Sequence, residues 1–406
     1  MSIRNLQKLI IGLGLGLGLG LSFMAFSSET QLPESFNGED SGSLYAINYD
    51  DIDMLLRASV LNTGRSTREK AKKSVATVGT RLKERVNVLT ANEGNRFYFE
   101  GFKTEEQKAL VRNIRDSLAS VATEIPLNQL TKNDQIAYWL NLYNLTVLDQ
   151  LIQRYPKGDL EDLYDEDNSI LDKKLLNVSG VALSLNDIQH DILDKKLGND
   201  PIVIYGLYQG YVGGPNIRSK AYYGYNVMSA LKANADEFVN SNRGTYPDRK
   251  NVFNISSLYE RNKVYFPDFN NDVKKHILKY LQGGFRYKLE DAKKLSADID
   301  DWDITDVFGT QRTFGAGLNT NGAAMLDSVA VTAGGAGDGD ANTSPASLGM
   351  AAEIFAERSV QFGRFTPEQL DNMKKIRDLS LLNGSNVTIT DMKQQDDNKE
   401  EKKSEQ

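Results

Sequence analysis

The sequence of 406 residues contains no cysteine. Disulfide bonds, thiolate zinc sites and a cysteine nucleophile are therefore excluded. Histidine is nearly absent as well, because His190 and His276 are the only two in the chain. These two histidines are therefore the candidates for a side chain that titrates near neutral pH. No cofactor is expected.

The sequence also lacks an excess of positive charge. Its formal net charge is −7 and its pI is about 5.2. Proteins that bind nucleic acid or an anionic membrane surface need a basic face, so neither kind of partner is expected. The hydrophobic fraction of 40% and the chain length support at least one domain with a sizeable core.

One long apolar run without charge occurs, at residues 9–26, and basic residues precede it. Small residues follow the run, and a signal peptidase would cut after Ser27. Residues 1–27 are therefore predicted to be a signal peptide. The alternative is an uncleaved helix that tethers the protein to a membrane through residues 9–26. Both alternatives predict an exported protein of the cell envelope, either periplasmic or secreted.

Composition divides the rest of the chain into regions. Small polar residues indicate a linker, helical periodicity indicates a main domain, and acidic, glycine-rich and charged stretches follow it. The predicted regions are a linker at 28–42, the main domain at 43–295, an acidic and then Gly/Ala-rich flexible segment at 296–346, a helical pair at 347–391 and a disordered charged tail at 392–406.

Capping residues, apolar spacing and terminal glycines predict helices through most of the main domain. A short apolar run at 201–208 is predicted to be a buried strand. The fold class is therefore α+β, mainly helical, with a single main domain and a small buried sheet. The predicted helices cover a segment after residue 45 and residues 104–122, 132–154, 184–198, 227–244 and 272–284, with a later pair at 347–361 and 367–381.

The helix at 132–154 is apolar nearly all the way round, so it is predicted to be the central buried helix. Three amide side chains, Gln135, Asn141 and Asn144, lie within it. Buried amides need hydrogen-bond partners. These three either fix the fold through a polar network or bind a ligand beneath the glycine-rich loop that follows.

The glycine-rich loop lies in "YGLYQGYVGGPNIRSKAYYG", residues 205–224. Its backbone N–H groups, including those of Gly213 and Gly214, are candidates to bind an anion, with Arg218 as a charged clamp. Arg243 is a candidate second clamp. In the alternative interpretation the glycines permit tight backbone packing, and Arg243 forms a salt bridge that closes its helix.

Two acidic stretches resemble calcium sites in composition. "DGDANTS" at 338–344 begins like a calcium-binding loop but lacks the glycine at its sixth position. The run from Asp298 to Asp306 has many carboxylates and no loop consensus. No metal site is predicted for either stretch, and a solvated acidic surface is expected instead.

Three motifs in one order resemble a known family. They are "QIAYWLNLYNLTVLDQLIQRYP" at 135–156, "LSLNDIQHDIL" at 183–193, and "YGLYQGYVGGPNIRSKAY" followed by "EFVNSNRG". Their order and spacing, over roughly residues 46–285, are similar to those of the domain-of-unknown-function 547 family. The resemblance implies a domain found in exported bacterial proteins, for which no reaction is established.

The sequence departs from this family in the glycine-rich loop. Many members have a Cys-x4-Cys-Pro pattern there, and the matching positions here are Gln209 and Gly214. The family's Glu-His pair is Gln189-His190 in this chain. The resemblance implies that His190 is a base or a polar contact near the loop, but a thiolate mechanism is impossible here.

Two functions are expected from these features. The first is non-catalytic binding of a small-molecule or protein ligand in the cell envelope, in a cleft between the 132–154 helix and the 209–218 loop. The second is a thiol-independent hydrolase, in which His190 activates water and Gln209 with loop amides stabilises an oxyanion. His276 is expected to be structural. The candidate ligand-binding residues are Gln135, Asn141, Asn144, Gln189, Gly213, Gly214, Asn216, Arg218 and Arg243.

Overall fold

A computed structural model describes residues 32–71, 87–165, 169–248, 251–307 and 389–391. Several sequence predictions lie outside these residues. They are the signal peptide at 1–27, the calcium-like stretch at 338–344, the helices at 347–361 and 367–381, and the tail at 392–406.

Helices form a much larger share of the described part of the chain than strands do, so the α+β, mainly helical class is confirmed. A π-helical segment, Asp187–Leu193, runs directly into the short α-helix Asp194–Leu197. The α-helices are α1 Asp50–Ser59, α2 Glu105–Glu124, α3 Lys132–Arg154, α4 Asp194–Leu197, α5 Val227–Val239, α6 Leu258–Arg261, α7 Phe269–Leu278 and α8 Gly284–Asp291.

The strands are short and form small separate sheets. They are β1 Tyr45–Ile47, β2 Val60–Leu61, β3 Arg96–Phe97, β4 Leu176–Val178, β5 Val181–Leu183, β6 Thr245–Pro247, β7 Val252–Ser256, β8 Lys294–Ile299 and β9 Ile389–Asp391. In the described ranges β1 pairs with β9, β2 with β3 and β4 with β5, all antiparallel. Strand β7 is the centre of a three-stranded sheet, antiparallel to β6 and parallel to β8.

Helix α3 is the centre of the hydrophobic core. Its N-cap Thr131 accepts a hydrogen bond from the backbone N–H of Asp134 at 3.2 Å, which satisfies one donor of the first turn. Trp139 on this helix is fully buried, and the ring of Phe36 packs edge-on against it. Helix α2 packs along α3. The prediction of a central buried helix at 132–154 is therefore confirmed.

The predicted strand at 201–208 is wrong. Residues Pro201–Gly206 form a 3₁₀ helix, and the side chain of Asp200 caps it by accepting from the N–H of Ile202 at 2.9 Å. Proline suits the first helical position, because its φ is already helical and it has no N–H to satisfy. Periodicity does not distinguish a short buried strand from a short buried helix, although the burial of this segment was predicted correctly.

Two helices end before the glycines that were predicted to stop them. Helix α5 ends at Val239, and the chain then turns, with the N–H of Ser241 donating to the carbonyl of Phe238 at 3.1 Å. Helix α7 ends at Leu278. Gly283, with a φ of 65°, then begins the unpredicted helix α8 in a conformation that favours glycine.

The folded domain continues past residue 295, where the sequence suggested its end. Strand β8 spans this position, and the chain after it packs on the glycine-rich loop. There the N–H of Val212 donates to the carbonyl of Asp303, and the N–H of Thr305 donates to the carbonyl of Gly210. Residues 296–307 are therefore part of the fold that positions this loop.

Within this continuation, Asp301 and Asp306 are buried, so the expectation of a solvated acidic surface is wrong for both. The hydroxyl of Thr90 donates to the carboxylate of Asp301. Burial raises the pKa of Asp301, and the guanidinium of buried Arg96 opposes that shift. Asp306 has a hydroxyl donor as well, because the hydroxyl of Tyr155 donates to its Oδ2 at 3.0 Å. The charge of Arg96 interacts favourably with both carboxylates.

In the part of the chain that the structure describes, no helix is long and apolar enough to cross a membrane. The described ranges also contain no group of three or more His, Asp or Glu side chains that is able to hold a metal ion. The apolar run at 9–26 lies outside them.

His276 lies in the core beside Tyr205. Its Nε2 is 2.9 Å from the hydroxyl of Tyr205, and the two rings stack with centroids 5.7 Å apart. Burial lowers the pKa of His276 from 6.5 to about 4, because a charged ring is unfavourable in the core, and Lys279 adds repulsion. His276 therefore has the structural role that was expected of it.

Lowering the pH from 6.5 to 4 is expected to destabilise the wild-type protein relative to a His276→Gln variant. In this range the unfolded chain binds a proton on the histidine that the folded chain excludes, so the free energy of unfolding falls as the pH falls. The two pKa values set an upper limit of about 3 kcal/mol for the relative change. Urea denaturation at several pH values measures it.

An exposed residue without a titratable group provides the control. Met54 on helix α1 is 49% exposed, so a Met54→Gln variant is expected to keep the pH dependence of the wild type. If the stability difference between wild type and His276→Gln stays constant between pH 6.5 and 4, the buried neutral state of His276 is contradicted.

Candidate functional site

The three amides of helix α3 hold backbone groups of other segments. Asn141 donates to the carbonyl of Tyr222 at 2.8 Å and accepts from the N–H of the same residue at 2.9 Å. Asn144 donates to the carbonyl of Gly206 at 3.0 Å and accepts from the N–H of Tyr208 at 2.9 Å. Both amides therefore use their donor and acceptor atoms to fix the two ends of the glycine-rich loop.

Gln135 is also committed to structure. It is fully buried, and its amide donates to the carbonyls of Gly38 and Leu130 at 2.9 and 3.0 Å. Its oxygen accepts from the ammonium group of Lys196. Burial lowers the pKa of that ammonium group to about 8. The geometry thus favours the structural interpretation for all three amides.

The inner part of the glycine-rich loop, residues 209–214, offers few free N–H groups to a ligand. The N–H groups of Val212, Gly213 and Gly214 donate to the carbonyls of Asp303, Asp301 and Tyr211 at 2.8 to 3.0 Å. These amides were expected to bind an anion or stabilise an oxyanion, and the structure gives that role no free donor at these positions.

Close backbone approach explains the glycine at position 213. A Cβ atom added there would lie 2.8 Å from the backbone nitrogen of Asp301. Real Cβ atoms do not come so near to backbone, so a larger residue would push the loop away from residues 300–307. The alternative interpretation, in which glycine permits tight packing, therefore describes this part of the loop.

Gln209 and Gly214, which stand at the family's cysteine positions, both lie in this packed part. Gln209 is buried, its side-chain oxygen accepts from the hydroxyl of Tyr211, and its carbonyl accepts from the hydroxyl of Tyr164. The carbonyl of Gly214 accepts from Nε of Arg243 at 3.1 Å. The two positions are thus held by protein groups.

His190 lies on the π-helical segment Asp187–Leu193. The reciprocal cap predicted at Ser184 is present: its hydroxyl accepts from the N–H of Asp187, whose carboxylate accepts from the N–H of Ser184. π-Helical turns occur often at functional sites. This one directs Gln189 into the core and leaves His190 partly exposed.

The ring of His190 is oriented by a carboxylate. Its Nδ1 lies 3.0 Å from Oδ2 of Asp194, while the hydroxyl of Tyr265 donates to Oδ1 of Asp194 at 2.7 Å. A carboxylate in its ionised form only accepts, so such a contact assigns the donor role to Nδ1. Gln189 donates to the hydroxyl of Tyr265 and to the side-chain oxygen of Asn262, both at 3.0 Å. Gln189 therefore supports this arrangement from the buried side.

No hydrogen bond among the described residues joins His190 to Gln209. His190 contacts Asp194 and the ring of Tyr265, whereas Gln209 contacts Tyr211. The pair that sequence reasoning combined into one catalytic site thus has separate immediate surroundings.

A polar cleft of about 620 Å³ lies elsewhere on the domain. Three segments form most of it: residues 62–66, the outer part of the glycine-rich loop at 216–220, and helix α5. Asn95, Asn240 and Gln282 complete the described lining. It differs from the predicted cleft, because none of its described lining residues belongs to the 132–154 helix. Its charged and amide lining includes Arg65, Asn216, Arg218, Lys220, Asp236 and Glu237.

The guanidinium of Arg218 lies over an aromatic ring at this cleft. Its guanidinium carbon is 4.9 Å from the ring centre of Tyr222, and Nη1 is 3.4 Å from the side-chain oxygen of Asn234. Its Nε is buried without a hydrogen-bond partner among the described residues, and no ion pair among them includes this arginine. Arg218 is thus a positioned cation that no described carboxylate neutralises.

Arg243 is fully buried behind the cleft wall. Its Nη2 donates to the carboxylate of Glu237 at 2.5 Å. Burial raises the pKa of Glu237, and the guanidinium of Arg243 opposes this shift. The salt-bridge interpretation therefore describes Arg243, which neutralises Glu237 and does not act as a second clamp.

Residues 62–66 reach the cleft through specific bonds. The side-chain oxygen of Asn95 accepts from the N–H of Thr63 at 3.1 Å, and the hydroxyl of Ser66 donates to Glu93 at 2.7 Å. Asn95 also donates to the carbonyl of Ile217 at 2.8 Å, which joins this segment to the glycine-rich loop.

Sequence reasoning included Asn216 and Arg218 but missed the rest of the cleft. Three separate segments carry Arg65, Lys220 and the adjacent acids Asp236 and Glu237. No local spacing in the sequence therefore predicts that these side chains line one cleft. One signal was present in the sequence: polar side chains occur late in an otherwise apolar helix, at "NADEF". Such side chains need a partner or face solvent.

The fold and the cleft define a mainly helical α+β domain with an arginine at a polar cleft that forms no ion pair within the described ranges. The sequence model of one protein family, described as "Protein of unknown function, DUF547", matches residues 127–239. A DUF547 domain therefore occupies this part of the chain, which is shorter than the similarity predicted over 46–285. No curated protein and no solved structure matches the chain. His190, Gln209, Arg218 and Glu237 all lie within the match.

Replacing Asn141 by alanine is expected to destabilise the fold by about 2–4 kcal/mol. The change leaves the buried N–H and carbonyl of Tyr222 without partners, and an unsatisfied buried polar group costs about 1–3 kcal/mol. Chemical denaturation measures the free energy of unfolding. Lys132→Ala, an exposed change in the same helix, serves as the control and is expected to shift stability by less than about 0.5 kcal/mol. Equal effects of the two substitutions would contradict the anchoring role of Asn141.

Proposed function

We propose that this protein is an exported cell-envelope protein that binds the anionic group of a small ligand in the polar cleft, without catalysis. The observation that carries the proposal is Arg218, which is held over the ring of Tyr222 and forms no ion pair with a carboxylate of any described residue. The N-terminal signal pattern of the sequence supports export.

The charges at the cleft favour an anion. Arg65, Arg218 and Lys220 form no ion pair with any described residue, while the charge of Glu237 is balanced by buried Arg243. Asp236 is then the remaining uncompensated acid in the lining. The cleft is thus locally cationic in a chain whose net charge is −7. A guanidinium with free donors suits carboxylate and phosphate oxygens.

The size of the cleft favours a small molecule over a protein partner. Its volume of about 620 Å³ lies within the usual range of about 300–1,000 Å³ for small-molecule sites. Asn62 and Gln282 add amide groups to the lining, so a polar ligand finds hydrogen-bond partners on more than one side. The amides of Asn216 and Asn240 are held by protein groups and form fixed parts of the wall.

Citrate and inorganic phosphate are expected to raise the thermal unfolding midpoint of the wild-type protein in a saturable way. A ligand that binds only the folded state stabilises it by mass action. An Arg218→Gln variant is expected to lose this response, because a hydrogen bond to a charged group contributes about 1.5–3 kcal/mol, or roughly a tenfold to hundredfold change in affinity. Calorimetric titration gives the affinities.

An Arg112→Gln variant is the matched control. Arg112 is a partly exposed arginine on α2, where it lies 3.7 Å from Asp149, and it does not line the cleft. Its loss removes the same charge, so its response to both anions is expected to equal that of the wild type. Equal weakening in the two variants would show that the anions respond to net charge and not to the cleft.

A second candidate function is hydrolysis with His190 as the general base. One observation favours it: Asp194 holds the ring through Nδ1, and the side chain is partly exposed. A carboxylate that fixes the tautomer in this way prepares a histidine for proton transfer. The oxyanion donors expected from Gln209 and the loop amides find no support in the contacts of those groups.

Turnover of mixed ester, amide and peptide substrates separates the two candidates. The binding proposal expects background rates from wild type, His190→Gln and Asp194→Asn alike. Hydrolysis by His190 predicts a wild-type rate above background that falls by about 10²- to 10⁴-fold in His190→Gln. A measured loss of that size would replace the non-catalytic proposal by the hydrolase.

A further inference from the structure

The walls of the polar cleft carry charges of opposite sign. The glycine-rich loop contributes Arg218 and Lys220, the segment at 62–66 contributes Arg65, and neither contributes an acid. Helix α5 contributes Asp236 and Glu237 and no cation to the lining. The sign of the charge is therefore divided between the elements that form the cleft.

These opposite charges do not pair with each other across the cleft. Among the described residues, no ion pair within 4.0 Å includes Arg65, Arg218, Lys220 or Asp236. Flexible side chains of opposite charge attract each other when their elements permit contact. Their separation keeps both signs available to a molecule that lies between them.

Apolar atoms contribute to the cleft lining as well as polar ones. Ala233 is the hydrophobic side chain in the described lining, and carbon atoms of the amide and charged side chains add further apolar surface. Asn216 is fixed in the wall, because it accepts from the N–H of Asn95 at 2.8 Å and its side chain also hydrogen-bonds with Glu237. The lining thus suits a ligand with charged ends and a less polar middle.

We propose that the ligand is a dipolar molecule of the amino-acid or short-peptide class, with its carboxylate at Arg218 and its ammonium group at Asp236. This inference rests on the proposed function, since it assigns the second charge of a ligand whose anionic group is bound at Arg218. A free α-carboxylate accepts from the guanidinium, and a free α-ammonium group donates to the aspartate.

Other charged ligand classes fit the two walls less well. A polyanion such as a phosphorylated sugar would satisfy the cations but would place negative charge against Asp236. A polyamine would satisfy Asp236 but would meet three unpaired cations. A dipolar ligand is the class that gains from both walls.

Equilibrium dialysis of the full-length protein against three matched peptide libraries tests this inference. The first library holds dipeptides with free termini, the second the same dipeptides acetylated at the N-terminus, and the third the same dipeptides amidated at the C-terminus. The expected result is retention of members of the first library, with at least about tenfold weaker retention of their blocked forms, because each block removes one charged hydrogen bond.

Two variants assign the ends of the ligand. The Asp236→Asn variant is expected to retain dipeptides with free and with acetylated N-termini equally. The Arg218→Gln variant is expected to retain dipeptides with free and with amidated C-termini equally. Asp162→Asn, at an exposed acid outside the cleft, is the control and is expected to behave as wild type. Because Asp236 has no described ion pair, its change to asparagine leaves the wall intact.

The outcomes separate this inference from the proposed function. Equal retention of free and acetylated dipeptides would overturn the inference. Retention of no dipeptide, with citrate or phosphate still bound through Arg218, would also overturn it and leave anion binding in place. If neither dipeptides nor these anions bind, the proposed function fails together with the inference.

Discussion

The double hydrogen bond between Asn141 and the backbone of Tyr222 is the contact on which the rest of the site depends. The segment that contains Tyr222 is irregular, so its N–H and carbonyl have no strand or helix partner of their own. Asn144 does the same at the other end of the glycine-rich loop, for Gly206 and Tyr208. Because both amides project from one rigid helix, the ends of the loop are fixed relative to each other. A helix that is buried all round can present such amides only if each finds a partner.

Between those fixed ends the loop divides into two parts with different roles. The inner part packs on residues 301–305, and it includes Gln209 and Gly214, the positions where the resemblance places cysteines. The outer part carries Asn216 and Arg218 to the cleft. The two positions where this chain lacks the family's cysteines therefore lie in a packed region. The groups able to bind a ligand lie a few residues further along the chain. Ligand binding in the cleft therefore does not require a thiol group, which this chain lacks.

Local signals in the sequence were enough for much of the helical framework. The cap at Thr131 and the apolar run after it predicted α3, and the reciprocal cap at Ser184 predicted the helix that carries His190. The failures share a physical cause. A short apolar run such as 201–208 has no period that distinguishes its backbone form. The partners of Asn141 are backbone groups some distance along the chain, and the cleft combines three separate segments, so no spacing rule predicts either.

A half-buried cation also holds the geometry of the cleft. Arg68 donates to the carbonyls of Val239 and Thr245 at 3.1 and 2.6 Å, just beyond the segment that supplies Arg65. The carbonyl end of a helix attracts positive charge, so the C-terminus of α5 anchors this segment. The same helix therefore provides the acids of one wall and fixes the position of another wall. A site whose walls are held apart in this way loses less conformational entropy on binding, and opposite charges that would otherwise collapse onto each other stay separated for a ligand.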